Sequence, residues 1–228
     1  MKNSGKLVSF LVPIISILLA FVIGCIIMAV LGANPFVALE SLWIGAFGSL
    51  RNVGTTLARS TPLIFTSLCA CFAYRCGVFN LGGEGQFLMG SIVCCYIATQ
   101  SGIEGLPAIL LCLVGGAVAG GLWSLISGLL KVYRGQNEMI ITIMLNYVAL
   151  YLVEYLVNNP FKSEGMVVRT EEIQDSARLV SLVAHTRLNT GIFIALLAVF
   201  LFWVLFYKTK LGYEMRATGD SPFAAESA

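Results

Sequence analysis

Residues 77–90, GVFNLGGEGQFLMG, interrupt a chain that otherwise consists of long apolar segments. The glycines of this stretch permit non-helical backbone, and Asn80, Glu84 and Gln86 add polar groups. Lipid offers no hydrogen-bond partners, so non-helical backbone at membrane depth is tolerated only when it is buried in protein or lines an aqueous cavity. Discontinuous helices of this kind often form transporter binding sites. The stretch therefore predicts a polar junction inside a helical bundle; the alternative is a cytoplasmic hairpin whose polar groups meet water.

The composition of the chain predicts a membrane protein. Its 228 residues are 58% hydrophobic and 11% charged, whereas a soluble domain has roughly 25% charged residues. Six apolar segments approach or reach the roughly 20 residues that cross a bilayer, although the third is short: residues 7–31, 53–73, 86–99, 106–130, 139–157 and 190–207. We expect an all-α polytopic membrane protein with about six transmembrane or re-entrant helices, forming one domain over residues 1–228.

Charge placement predicts the orientation of the chain. Lys2 and Lys6 precede the first apolar run, as in a signal peptide, and Gly24-Cys25 is similar to a lipoprotein cleavage site. However, the apolar run continues well beyond the length of a signal-peptide core, which predicts an uncleaved first helix. With the N-terminus in the cytoplasm, most basic residues of short loops also lie there, as the positive-inside rule requires. Arg51 and Arg59 oppose this orientation. We expect a multi-pass membrane protein with residues 158–189 outside the cell and 208–228 inside.

Several functional classes are disfavoured by the sequence. The net charge of +2 and the scattered basic residues do not suggest a nucleic-acid partner. No G-x-x-x-x-G-K-[ST] stretch is present, so any ATP is expected to be bound by another chain, and no enzyme activity or cofactor is expected in this one. Cysteine is an ordinary small apolar residue in helices, and the only histidine is His185, so no metal site is expected.

Two further stretches within the apolar segments are informative. The run GGAVAGG at residues 115–121 spaces Gly116 and Gly120 for close helix packing. In RGQNEMIITIMLNY, residues 134–147, the polar Asn137, Glu138 and Asn146 lie at the start of the fifth segment and within it. Such groups usually face a bundle interior and mark a path for a polar solute. For Asn137 and Glu138, helix N-capping explains the same residues equally well.

The last 22 residues, YKTKLGYEMRATGDSPFAAESA, differ from the rest of the chain. A basic cluster is followed by a short amphipathic pattern that Gly219 and Pro222 interrupt. The pattern predicts a cytoplasmic helix that docks on another protein, with a solvated tail as the alternative.

These stretches resemble a known family. The pattern T-x-x-G-x-x-x-R-A-x-G-x-x-P-x-A-A is similar to the coupling loop of permease subunits in bacterial ABC importers for simple sugars, nucleosides and branched-chain amino acids. It is carried by Thr209, Gly212, Arg216, Ala217, Gly219, Pro222, Ala224 and Ala225. The stretches GVFNLGGEGQFLMG and GQNEMIITIMLNY resemble the nucleoside and simple-sugar branch.

The resemblance implies a membrane subunit that pairs with a second permease, is driven by a cytoplasmic ATP-binding subunit and receives substrate from an extracytoplasmic lipoprotein. Residues 208–225 would seat in the ATP-binding subunit, and the translocation path for nucleosides or simple sugars would be lined by Asn80, Glu84, Gln86, Asn137, Glu138 and Asn146. Family permeases are longer, so we expect this chain to correspond to the first part of such a fold.

Two other classes of function are considered. An ion-coupled carrier or channel also uses broken helices and buried carboxylates. However, no pair of buried acid and base residues suggests a proton relay, and this class would leave the docking motif unexplained. A non-transporting truncated membrane scaffold is the second alternative.

Overall fold

The computed structural model describes residues 2–163, 165–183, 186–221 and 225. Within these residues the regular structure is helical, and the chain runs through α1 (Lys2–Val30), α2 (Pro35–Phe47), α3 (Leu50–Arg75), α4 (Gly83–Gln100), α5 (Leu106–Arg134), α6 (Glu138–Asn158), α7 (Gly191–Lys208) and α8 (Lys210–Asp220). A single 3₁₀ turn, Asp175–Ala177, interrupts the long connection between α6 and α7. The predicted all-α architecture is confirmed.

In the part of the chain that the structure describes, five helical segments are long and apolar enough to cross a membrane: Leu11–Val30, Leu50–Arg75, Leu106–Arg134, Glu138–Asn158 and Gly191–Lys208. They expose large apolar side chains on most of their surface; Leu18 and Val30, for example, are 60% and 81% exposed. A helix that is apolar on all sides suits hydrocarbon rather than water. The chain is therefore a multi-pass membrane protein.

The predicted apolar segments coincide with helices α1 and α3 to α7. The segment described as short, residues 86–99, lies within α4, whose 18 residues extend about 27 Å at 1.5 Å per residue. Helix α2 was missed because its 13 residues are too few to span the bilayer and give no clear transmembrane signal.

The chain divides into two compact units, one ending at Thr56 and the other beginning at Leu57. In the first unit, Asn34 caps α2 by accepting a hydrogen bond from the Phe36 amide at 3.0 Å. The Asn52 side chain then donates to the Ile44 carbonyl at 2.8 Å, which joins the start of α3 to α2.

In the second unit, α4 packs on both α5 and α6, and α7 packs on α8. A Cβ atom at Gly90 would lie 2.9 Å from the Gly116 carbonyl oxygen, and one at Gly120 would lie 3.1 Å from the Gln86 carbonyl oxygen. These distances leave no room for side chains, so the glycine run of α5 provides the close helix approach that its spacing predicts.

Candidate functional site

The link between α3 and α4 contains the non-helical part of the GVFNLGGEGQFLMG stretch. The whole link spans residues 76–82, and α4 begins at Gly83, so Glu84 and Gln86 lie on its first turn. Gly77 has a φ of +71°, a conformation that a glycine adopts without steric cost. The interruption between α3 and α4 is therefore confined to seven residues, and the stretch from Gly83 onward is helical.

Side chains from other parts of the chain cap the start of α4. The cap residue Gly82 has no side chain that could accept a hydrogen bond; Asn80 Oδ1 instead accepts from the Gly82 amide at 2.8 Å. Asn146 of α6 reaches across, accepting from the Gly85 amide at 2.9 Å and donating to the Leu81 carbonyl at 2.9 Å. The first backbone amides of a helix lack intrahelical partners, so Asn146 satisfies a group that α4 itself cannot.

Thr142 adds a second connection between the link and α6. Its side chain is 2% exposed, donates to the Glu138 carbonyl at 2.7 Å and accepts from the Leu81 amide at 3.3 Å. Glu138, Thr142 and Asn146 are spaced by four residues and therefore share one face of α6. This polar stripe holds the link against α6.

A large cavity, the Glu138 cavity, opens beside the link. Its volume is about 860 Å³, within the range of ligand-binding cavities. Segments of α3, α5, α6 and α7 line it together with the link and the first turn of α4. Its polar lining residues are Cys69, Cys76, Asn80, Gln86, Ser124, Ser127, Lys131, Glu138 and Thr142, and its aromatic residues are Phe72, Phe79 and Phe202.

An ion pair lies in the wall of the Glu138 cavity. Lys131 Nζ is 2.8 Å from Glu138 Oε1, with the two side chains 35% and 21% exposed. Lys131 is in the last turn of α5 and Glu138 in the first turn of α6, positions at which the helix dipole stabilises each charge. The sequence analysis does not anticipate this pair, because the seven-residue separation crosses a turn that brings the two side chains together; both side chains remain partly exposed.

A second cavity, the Cys94 cavity, has a volume of about 580 Å³ and lies between α3, α4 and α5. Its lining includes Ser91, Cys94, Phe87, the glycines of the α4–α5 crossing and Ile173 from the α6–α7 connection. Cys69 and Gln86 line this cavity as well as the Glu138 cavity. The two cavities therefore meet at these two side chains.

The predicted path residues do not form one cluster. Asn80, Gln86 and Glu138 line the Glu138 cavity, whereas Glu84 and Asn146 line a separate cavity of about 330 Å³ together with Tyr147. Asn137 lines none of these three cavities; it is the N-cap of α6 and accepts from the Met139 amide at 3.0 Å. For Asn137, the capping alternative describes the observed contact.

The residues of the predicted coupling loop mostly contact their own chain. Thr209 caps α8 by accepting from the Gly212 amide at 3.1 Å. Gly212 is buried, and a Cβ atom there would overlap the Leu205 carbonyl oxygen. The Arg216 guanidinium lies 5.1 Å from the Tyr207 ring centroid, and its Nε donates to the Gly212 carbonyl at 3.3 Å. Together these contacts build the corner between α7 and α8.

Gly219 joins this corner to the α3–α4 link. A Cβ atom at Gly77 would lie 2.9 Å from the Gly219 carbonyl oxygen and 3.0 Å from its Cα atom, and one at Gly219 would overlap the Arg75 carbonyl oxygen. The backbones of α8 and the link are thus in direct contact. Ala217 and Ala225 are half-buried. Pro222 and Ala224 lie outside the described residues.

Gly212, Arg216 and Gly219 follow a spacing of four and three residues, which places them on one face of α8. The opposite side of the helix is open: Leu211 and Tyr213 are 52% and 65% exposed, and Lys210, Glu214 and Thr218 are also exposed. The exposed side of α8 therefore carries residues other than the glycines and arginine of the motif.

Within the described residues, no group of three or more His, Cys, Asp or Glu side chains is arranged to hold a metal ion. His185 lies outside the described residues. The sequence reasoning missed six polar lining residues of the Glu138 cavity: Cys69, Cys76, Ser124, Ser127, Lys131 and Thr142. Only Thr142 carried a detectable pattern, since it lies midway between Glu138 and Asn146.

Comparison with known proteins gives a consistent result. Residues 52–228 match the family model described as branched-chain amino acid transport system / permease component. The chain is 36% identical to the guanosine ABC transporter permease protein NupP of Bacillus subtilis over 98% of its length, and 36% identical to the nucleoside ABC transporter permease protein NupB of Lactococcus lactis over 100%. It is 26% identical to a glucose ABC transporter permease of Haloferax volcanii over 95%.

The chain spans 65% of the length of the first two relatives and 60% of the third. No solved structure matches it.

Proposed function

Since this chain belongs to the branched-chain amino acid transport system / permease component family, we propose that it forms part of a permease through which a polar solute crosses the membrane. The observation that carries the proposal is the Glu138 cavity, where amides, hydroxyls and an ion pair are gathered among apolar helices. Polar groups are costly in hydrocarbon and usually mark a solute pathway. A path for a polar solute accounts for the polar side chains that line this cavity.

We propose nucleosides as the substrates, with simple sugars as the alternative. Two relatives at 36% identity are named for guanosine or nucleosides, whereas the relative named for glucose is 26% identical. The cavity offers Asn80 and Gln86 amides for hydrogen bonds and Phe72, Phe79 and Phe202 rings for stacking on a base. A simple sugar can use the same hydrogen-bonding groups and pack its C–H faces on the rings, so the preference for nucleosides rests on the relatives.

The driving force is proposed to come from a separate cytoplasmic ATP-binding subunit, with a second permease subunit and an extracytoplasmic lipoprotein completing the importer. The chain would then need no cofactor and carry out no hydrolysis of its own. The exposed side of α8, with Leu211, Tyr213 and Glu214, is the proposed contact with the ATP-binding subunit. Its apolar residues suit a docking groove on a partner.

The docking proposal is tested by pull-down of the ATP-binding subunit with the full-length permease. Tyr213→Asp should reduce recovery of the partner, because it places a charge in an apolar contact. Tyr133→Asp is the matched control, since Tyr133 is 79% exposed and lies at the end of α5 instead. Gly212→Trp is unsuitable for this test, because it would disrupt the α7–α8 corner. Equal recovery with Tyr213→Asp and the parent would contradict the docking face.

The proposed location is the bacterial cytoplasmic membrane with α8 inside the cell and the α6–α7 connection outside. Met166 in that connection is fully exposed, so Met166→Cys in a background without other thiols should react with a membrane-impermeant thiol reagent added to whole cells. Reaction only in inverted vesicles would reverse the proposed orientation.

The function itself is tested by uptake. A strain without the gene should lose uptake of labelled guanosine, and the full-length gene should restore it, whereas glucose uptake should be unchanged. Loss and recovery of glucose uptake instead would favour the sugar alternative. Unchanged uptake of both solutes would favour a non-transporting membrane scaffold.

An ion-coupled carrier is the second candidate, and the Lys131–Glu138 pair facing the cavity favours it. The energy source separates the two mechanisms. A protonophore that leaves cellular ATP intact should not stop uptake by an ATP-driven importer, whereas it should stop uptake by a proton-coupled carrier.

A further inference from the structure

The Glu138 cavity and the Cys94 cavity lie end to end along the bundle. The Cys94 cavity contacts α5 between Leu113 and Gly121, and the Glu138 cavity contacts it between Ser124 and Lys131. From Leu113 to Lys131, a helix rises about 27 Å at 1.5 Å per residue. That length is close to the roughly 30 Å thickness of the hydrocarbon layer.

The outer ends of the two cavities lie at opposite ends of α5. At its outer end, on the Leu113 side, the Cys94 cavity is bounded by Ile173 of the α6–α7 connection, near the point where Gln100 Nε2 donates to Glu171 Oε2 at 3.3 Å. The Glu138 cavity ends at the Lys131–Glu138 pair, where α5 and α6 meet. Each cavity therefore approaches a different face of the membrane.

Three side chains occupy the level at which the cavities meet. The Cys69 thiol of α3 donates to Gln86 Oε1 of α4 at 3.2 Å. Asn80 of the link donates to Cys69 Sγ at 3.5 Å, and Gln86 Nε2 donates to Asn80 Oδ1 at 3.4 Å. The three groups form a closed ring of contacts that joins α3, the link and α4.

We propose that Cys69, Asn80 and Gln86 form a polar partition that closes the two cavities from one another at rest. A solute passing from one cavity to the other must break the ring. When the partition is closed, the amide and thiol groups of the ring are hydrogen-bonded to one another. When it opens, the same groups can form hydrogen bonds with a hydroxylated solute. This inference rests on the proposed function, because it assigns the step at which a solute crosses between the two halves of the path.

Sidedness of thiol labelling tests the partition. The experiment uses the full-length permease with its partner subunits in right-side-out and inverted membrane vesicles, with sulfonatoethyl methanethiosulfonate as the impermeant probe. All native thiols are replaced, with Cys69→Ser keeping a hydrogen-bond donor at the partition. Ser124→Cys then reports on the Glu138 cavity and Ser91→Cys on the Cys94 cavity.

With the partition intact, each of the two thiols should react from one membrane face only, and the two faces should be opposite. Gln86→Ala removes the α4 side of the ring, so the Ser124→Cys thiol should then also react from the other face, at least tenfold faster than before. Glu84→Ala is the matched control: Glu84 lies on the same turn of α4 but lines a different cavity. It should leave the sidedness unchanged.

A second variant covers the case in which Gln86→Ala does not fold. Cys69→Ala in place of Cys69→Ser removes the donor on α3 and should open the same passage, whereas the serine keeps it closed. Reaction of both reporter thiols from the same face, or unchanged sidedness in both Gln86→Ala and Cys69→Ala, would overturn the partition.

Uptake of labelled guanosine in the parent transporter is measured separately. Opposite sidedness without uptake of any solute supports the partition and contradicts the proposed function. Uptake without sidedness contradicts the partition alone.

Discussion

Replacing Gly77 by alanine should detach α8 from the α3–α4 link. The new Cβ atom would meet two penalties. The φ of +71° costs an alanine about 1–2 kcal/mol. The same atom would lie 2.9 Å from the Gly219 carbonyl oxygen and 3.0 Å from its Cα atom, and relieving such a collision in packed structure costs about 1–3 kcal/mol.

Gly135→Ala separates the two penalties. Gly135 has a φ of +61° but open space around its Cβ position, so this variant carries only the backbone penalty. The steric difference of about 1–3 kcal/mol corresponds to a roughly 5- to 150-fold change in an opening equilibrium.

Hydrogen–deuterium exchange of the α8 amides in the full-length protein measures that opening. Exchange should be faster by about this factor in Gly77→Ala and unchanged in Gly135→Ala. Gly219→Ala should have a similar effect on α8, because it collides with the Arg75 carbonyl at the same contact. If α8 exchanges at the parental rate in Gly77→Ala, the backbone contact does not hold the helix, and the reasoning is refuted.

Three further predictions concern stability, measured as unfolding of the full-length protein in mixed detergent micelles. Asn146→Leu leaves the Gly85 amide and the Leu81 carbonyl without the partners that Asn146 provides, which should lower the free energy of unfolding by on the order of 1–3 kcal/mol. Asn158→Leu, at an exposed position, should lower it less. Equal losses in the two variants would contradict the capping role of Asn146. Thr209→Ala should cost about 1 kcal/mol by removing the α8 cap, and normal exchange of the first α8 turn would argue against it. Gly116→Ala should destabilise the α4–α5 crossing, because its Cβ would lie 2.5 Å from Cys94 Sγ. Gly128→Ala meets open space and should be neutral or stabilising. If Gly128→Ala were the less stable of the two variants, the close approach at Gly116 would be excluded.

Much of the fold could be predicted from the sequence because each membrane helix satisfies its own backbone and must be apolar over its length. That local requirement placed α1 and α3 to α7 within a few residues of their observed ends. Helix α2 obeys no such length requirement and was therefore missed. The glycine spacing in α5 predicted a close crossing but could not identify Gly90 of α4 as the opposite residue, since partner choice is not a local property.

The candidate site was only partly predictable for the same reason. Asn80 and Gln86 were identified because polar groups are conspicuous in apolar segments, but the pattern could not show that Glu84 faces a different cavity. Cys69 is inconspicuous in an apolar helix, and its role depends on the position of Gln86 on another element. The Lys131–Glu138 pair requires the left-handed turn at Gly135, which reverses the chain between two residues that the sequence separates.

The contact between Gly77 and Gly219 has a mechanical consequence. Where side chains separate two elements, rotation about their torsions can absorb part of a displacement. At this contact backbone meets backbone, so no side-chain torsion is available to do so. A displacement of α8 toward the link would therefore be passed directly to the backbone at Gly77, which lies three residues before Asn80 in the sequence. Gly212 is packed as closely at the α7–α8 corner, so the smallest residues of the motif leave α8 the least room to shift against its neighbours.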